Sequence, residues 1–324
     1  MDIINWAVKA LKLKFRYIIA VFSAGAACLV MVIFPEVTLL SAQKGIAIWA
    51  NNILPAMLPF FICANFMNGI GVTRYLNPSC FAFSLSVLSG YPMGAKIIGD
   101  MGRSGYIPSV ECRRLISFCS TSGPAFIVGA VGASMIGSNT SGSIIAIAHF
   151  GGALLNGLLF STLADVFSKD YRTYKSKKSK KRQTVVKTDF NNNYLEAFTN
   201  SIITSLKSLG IILAYIVMFM MITDMIQLSG LLKGITHVYY VGMIKGIFEM
   251  TVGCSSISGT MSIPLAYKTI GCSILISFGG LSIIGQSMSM LQGTKVSFSY
   301  LLLVKIFHSI FAGILALILT ELLL

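Results

Sequence analysis

Long apolar runs recur along this chain from Tyr17 to Leu322, and several approach or exceed the roughly 20 residues that cross about 30 Å of hydrocarbon. Within hydrocarbon every backbone N–H and C=O must be bonded inside the protein, so the spanning segments have to be helices. Composition agrees. Of 324 residues, 55% are hydrophobic and only 11% charged, and the mean hydropathy is +0.79, which makes the bilayer the expected solvent. The fold class expected is an all-α polytopic membrane protein, an inverted repeat of broken helices and re-entrant hairpins.

The formal net charge of +14 raises the question of nucleic acid, but the basic residues do not form a face interleaved with aromatics. They gather in two clusters beside apolar runs. Lys9, Lys12, Lys14 and Arg16 precede Tyr17–Phe34, and a run from Lys169 to Lys187 interrupts the hydrophobic pattern near mid-chain. Both read as cytoplasmic flanks and lipid-headgroup contacts, with no nucleic-acid partner. The first apolar run is long, and Phe34, Pro35 and Glu36 offer no small-residue cleavage site, so it is expected to be a retained helix. Seven scattered cysteines form no CxxC pair or metal spacing and read as packing residues.

After the first span, Gly45–Val72 carries Pro55 and Pro59, which should bend or break it. Pro78–Ile98 is split by SGYPMGAK at 89–96, the pattern of a re-entrant hairpin, and Leu115–Ile136 is interrupted by CSTSGP at 119–124. Ser143–Val166 is a cleaner span. The plan then returns: Phe198–Leu228 is a long span, Tyr239–Ile263 is a hairpin with a break at GCSSISG (253–259), Thr269–Leu291 is interrupted by FGGLSIIGQ (278–286), and Phe298–Leu322 closes the chain. LISF recurs at 115–118 and 275–278, each time before a Gly/Ser break. Four regions follow: 1–44, a basic segment and first helix; 45–167, a first repeat; 168–193, a cytoplasmic linker; and 194–324, a second, inverted repeat. Threading with the N-terminus inside places about 20 Lys/Arg on the cytoplasmic side and about four outside, with the second span ending inside at Arg74 and Lys305 left within a span. Inverted units of this kind serve alternating access in many carriers.

No catalytic constellation is present, so no enzyme, cofactor or metal site is expected. His149, His237 and His308 are far apart, and neither a phosphate-binding GxxxxGK[ST] nor a GxSxG elbow occurs. For His149 and His308 a helix-packing hydrogen bond is the expected role. The breaks are more informative, because a helix interrupted at mid-membrane frees backbone groups that a ligand can satisfy, and half-helix N-termini favour carboxylate or phosphate. The candidate cradle is Ser89 and Gly90, Ser120, Thr121, Ser122 and Gly123, Ser256 and Ser258, and Gly279, Gly280 and Ser282. Ionisable groups in apolar segments are functional candidates. Lys96 is expected to carry substrate charge, Glu249 to pair, take up a proton or bind a cation, and Gln286 to donate and accept. Asp224 and Lys305 are left to snorkel or pair.

SGYPMGAK at 89–96, RRLISFCSTSGPAF at 113–126 and SFGGLSIIGQ at 277–286 resemble the sporulation integral membrane proteins of the YlbJ type, in the nucleoside-recognition or Gate superfamily. The resemblance runs from about Gly45 onward. It implies a multi-pass protein of the mother-cell, outer forespore membrane that passes dipicolinic acid toward the spore. A planar dicarboxylate suits half-helix N-termini, hydroxyls and a lysine. Nucleoside carriers of the superfamily use acidic residues near their hairpins, whereas SGYPMGAK offers a lysine. The expectation is therefore a carrier of a small anion. Two alternatives stay open, a nucleoside or cation carrier and a non-transporting scaffold for cortex or coat assembly. A homo-oligomer or a sporulation membrane partner is compatible with each.

Overall fold

The computed structural model describes residues 18, 21–71, 78–167 and 193–324. Both basic clusters, Arg74 and linker residues 168–192 lie outside the described residues. All regular structure among the described residues is helical, with no strand.

Helix α1 (Val21–Ile33) meets α2 (Pro35–Ile48) at a sharp bend, 103° when α2 is followed on to Asn51. Proline at the first position of α2 costs nothing, since that N–H has no intrahelical partner. The chain then passes a π-helical turn, Trp49–Ile53, into α3 (Leu54–Gly69). Pro55 and Pro59 do not break this segment. Instead the ladder widens just ahead of Pro55, where Leu54 N–H reaches back to Trp49 O, and Pro59 is absorbed within α3.

Next come α4 (Pro78–Ser89) and α5 (Met93–Arg103), antiparallel arms of the first hairpin, then α6 (Ser109–Cys119) and α7 (Ala125–Ile136), two halves of a broken helix. The second half is wound in the π register and stops at Gly137, φ 74°. Helix α8 (Asn139–Phe167) completes the first unit. The same order recurs: α9 (Tyr194–Leu228) is a long span, α10 (Val238–Phe248) and α11 (Met250–Ser258) form a hairpin, α12 (Leu265–Phe278) and α13 (Gly280–Met290) form a broken helix, and α14 (Phe298–Leu323) is the closing span. Among the described residues four helices are long and apolar enough to cross a membrane, five if the bent α1–α2 pair is one span.

Three of the four breaks lie where Gly, Pro and Ser place them. The second hairpin corrects the fourth: GCSSISG is helical within α11 apart from its final Gly259, and the chain turns at Glu249, extended at φ −142° and ψ 114°.

Corresponding spans pair across the units. Helix α9 lies on α2 and α3, where Trp49 Nε1 donates to Leu209 O at 3.0 Å and Asn65 Nδ2 donates to Ser205 Oγ at 2.9 Å. Helix α14 lies on α8, where Asn156 Nδ2 donates to both Ser117 O at 2.7 Å and Val304 O at 3.2 Å. On α14, Ile306, Ile310, Ile314 and Leu317 face outward while Lys305, His308, Ala312 and Ala316 are buried. Polar inside and apolar outside is the pattern that lipid solvent demands.

Within each unit the hairpin turn touches the broken helix of the same unit. Gly90, at φ +75°, lies so near the first break that an added Cβ would stand 2.4 Å from Gly123 N. Gly280, at φ +74°, abuts Phe248 O and Met250 N at the second hairpin turn. Gly90→Ala is therefore expected to lower the melting temperature of the detergent-purified protein well beyond Gly105→Ala. Gly105 shares the conformation (φ +71°) but has nothing within 4 Å of an added Cβ, so its substitution costs only the roughly 1–2 kcal/mol of left-handed strain. Equal shifts would mean that the contact between Gly90 and Gly123 is loose.

Candidate solute site between the hairpin turns

Both hairpin turns, the first helix break and the α13 half of the second broken helix meet at a cavity of about 40 Å³. Hairpin one contributes Ser89 and Tyr91, the first broken helix Ser122 and Gly123, hairpin two Glu249 and Thr251, and the second broken helix Ile283 and Gln286. Ile53, Met57 and, from α9, Ile212 and Ile216 add aliphatic wall.

Some of the backbone groups freed at the breaks have side-chain partners, supplied by the closing spans and the first hairpin. At the first break, Ser122 N–H donates to His149 Nε2 at 2.9 Å, and Ser120 O accepts from Lys305 Nζ at 3.0 Å. Because His149 Nε2 accepts, its proton sits on Nδ1, which faces Ser277 Oγ at 2.8 Å. His308 Nε2 bonds His149 O at 2.9 Å, so both buried histidines act in helix packing. At the second break, Ile276 O accepts from Tyr91 Oη at 3.1 Å. At the second hairpin turn, Glu249 caps α11, accepting from Val252 N–H at 2.8 Å and from Thr251 Oγ1 at 3.2 Å.

Side-chain atoms are also left without partners. Ser89 Oγ, Thr121 Oγ1 and Gln286 Oε1 are buried and unbonded. Ser89 and Gln286 line the cavity, and a buried polar atom with no partner costs about 1–3 kcal/mol. Gln286 Nε2 is already used, donating to Ser282 Oγ at 3.1 Å.

Of the residues singled out in the sequence, Ser89, Ser122, Gly123, Glu249 and Gln286 line the cavity. Gly90, Ser120, Thr121, Gly279, Gly280 and Ser282 belong to the surrounding breaks. Three lie elsewhere. Lys96 is outside the lining and is held by Asn65 Oδ1 and Asp100 Oδ2, each at 3.1 Å. Ser258 Oγ faces Cys272 Sγ at 3.6 Å, and Ser256 serves only as a carbonyl acceptor for Thr260 on α11. Asp224 accepts from Ser41 Oγ at 2.7 Å.

Lys305 and Tyr91 are the residues that sequence reasoning passed over. Lys305 does not snorkel. It is 1% exposed, with its ammonium hydrogen-bonded to Tyr91 Oη and 4.4 Å from that ring's centroid. Among the described residues no carboxylate pairs with it. Its placement eight residues into an apolar helix, opposite no acid, was the available signal.

An all-helical polytopic membrane protein with two hairpins and two broken helices around a single buried cavity is the class these features define. Over 323 residues the chain is 26% identical to the sporulation integral membrane protein YlbJ of Bacillus subtilis (strain 168), covering 88% of this chain and 78% of that relative. That likeness supports the YlbJ type read from the three motifs. No family model matches the chain, and no solved structure matches it.

The hydroxyl of Tyr91 joins Lys305 to the second break, so the two side chains should act as one unit. Tyr91→Phe is expected to cost about 1–3 kcal/mol. In a double-mutant cycle with Lys305→Met, measured by thermal unfolding in detergent, the two losses should fall short of additive by 0.5 kcal/mol or more. Strict additivity would dissolve the unit.

Proposed function

We propose that this protein is a carrier of a small solute, and that the passage runs through the cavity between the two hairpin turns. The observation that carries the reading is the meeting of both hairpin turns and both broken helices at that cavity. The recurrence of one element order in both halves fits inverted units that rock about a fixed midplane site. At about 40 Å³ the cavity holds one to a few waters and not an organic ring. Solute entry therefore requires the hairpin turns to part, and the described state is the closed one of the cycle.

The favoured solute is a small carboxylate, with dipicolinate first. In its favour stand the N-terminal parts of α7 and α13, which contribute Ala125, Phe126, Ile283 and Gln286 to the lining, and the Lys305 side chain held behind the lining residue Tyr91. The likeness to YlbJ favours a role in sporulation, and with the spans it favours a multi-pass membrane protein; the membrane proposed is the mother-cell, outer forespore membrane. A second reading, a carrier of nucleosides or other hydroxyl-rich solutes, draws on Glu249, whose carboxylate lines the cavity.

Proteoliposomes loaded with unlabelled solute and challenged with radiolabelled dipicolinate or uridine separate these readings, since only a true substrate exchanges. Dipicolinate exchange is expected. Lys305→Met should reduce it at least tenfold at matched expression, through loss of its bonds to Tyr91 of the lining and to Ser120 O at the first break, while Lys96→Met should retain it, because Lys96 is bound to Asn65 and Asp100, neither of which lines the cavity. Exchange of uridine alone favours the second reading. No exchange of either, together with full sporulation in a strain whose Ser120–Gly123 stretch is replaced by alanines, would leave a scaffold.

A further inference from the structure

Resting on the reading of this cavity as the solute passage, we propose that it also binds one alkali-metal cation, coordinated by Glu249, Gln286 Oε1, Ser89 Oγ and the Thr251 hydroxyl. Every polar side chain in the lining presents oxygen, as hydroxyl, carboxylate or carboxamide, together with the already engaged amide nitrogen of Gln286. No histidine or cysteine is among them. This is a ligand set for a hard cation.

Charge points the same way. Glu249 is 1% exposed, and its carboxylate is met by a backbone N–H and a hydroxyl, both neutral. Among the described residues no lysine, arginine or histidine pairs with it. The other buried charge nearby, Lys305, is spent on Tyr91 Oη and Ser120 O and does not line the cavity. A buried carboxylate needs a compensating charge.

The unbonded oxygens add to the case. A proton on Glu249 with a water beside it meets the same needs with two species; one cation meets both at once, a single carboxylate matches a single positive charge, and the acid arm of the test separates the two. A cavity of about 40 Å³ admits a bare or singly hydrated ion.

The test uses the full-length protein in detergent at fixed pH and ionic strength, with sodium chloride exchanged for choline chloride. The melting temperature should rise saturably with sodium, and the half-saturating concentration should increase tenfold or more in Glu249→Gln and in Gln286→Leu. Asp224→Asn, an intramembrane acid bonded to Ser41 away from the cavity, should leave it unchanged. Should the variants not fold, binding of radioactive sodium to the unmodified protein is expected to saturate at one ion per chain. Identical melting in sodium and choline with no saturable binding overturns the site, as does stabilisation by acid alone in choline. Neither readout involves transport. A protein that binds sodium but exchanges no solute sinks the carrier reading alone, whereas exchange without sodium binding sinks only the cation site.

Discussion

Lipid offers no hydrogen bonds, so a helix interrupted at bilayer depth is stable only when something in the protein takes over the exposed backbone. Most of the interior follows from that requirement. The first break is held by His149 from α8 and Lys305 from α14, and the second by Tyr91 from the opposite hairpin. Closing spans that bury histidine, asparagine and lysine against one another are doing work that water does elsewhere. The close contact of α8 with α14 and the polar residues between them are therefore one arrangement: the spans pack where their side chains are needed.

This modifies the simplest account of a discontinuous helix as a bare dipole awaiting a ligand. Some main-chain groups at these breaks are taken up by side chains. Also open is a small set of side-chain oxygens on Ser89, Thr121 and Gln286. Recognition then rests on groups that can rotate, framed by a backbone that cannot, and the aliphatic walls from Ile212 and Ile216 raise the value of each polar contact by excluding water.

How much of this was legible in the sequence depended on whether the cause was local. SGYPMGAK, CSTSGP and the Phe278-Gly279-Gly280 step announce their breaks, because glycine and proline change the backbone wherever they stand. The turn at Glu249 carries no such residue. Its neighbours Phe248 and Met250 are ordinary helix formers, and the chain opens there because Gly280 packs its backbone against them and the Glu249 carboxylate caps the next helix. GCSSISG attracted attention as the richer small-residue stretch, yet it serves helix packing: an added Cβ on Gly253 would stand 2.3 Å from Gly246 Cα. Lys96 and Lys305 show the same limit. Both are lysines in apolar surroundings, but one has an acid four residues away and the other has its partner 214 residues away. Only the fold tells which is compensated.

Among the described residues the two buried ionisable side chains Glu249 and Lys305 form no ion pair. Tyr91 lines the same cavity as Glu249 and receives Lys305 through its hydroxyl, so a residue of the first hairpin links that cavity to a base on the last span. A direct ion pair would seal these elements together at a large desolvation cost, and breaking it would strand both charges. Held apart, each charge is met by groups that can be exchanged for others: hydroxyls and an N–H for Glu249, a phenol and a carbonyl for Lys305. Such contacts are weaker singly than a salt bridge and can be remade one at a time. The proposed carrier, which would have to open at this point, is better served by them.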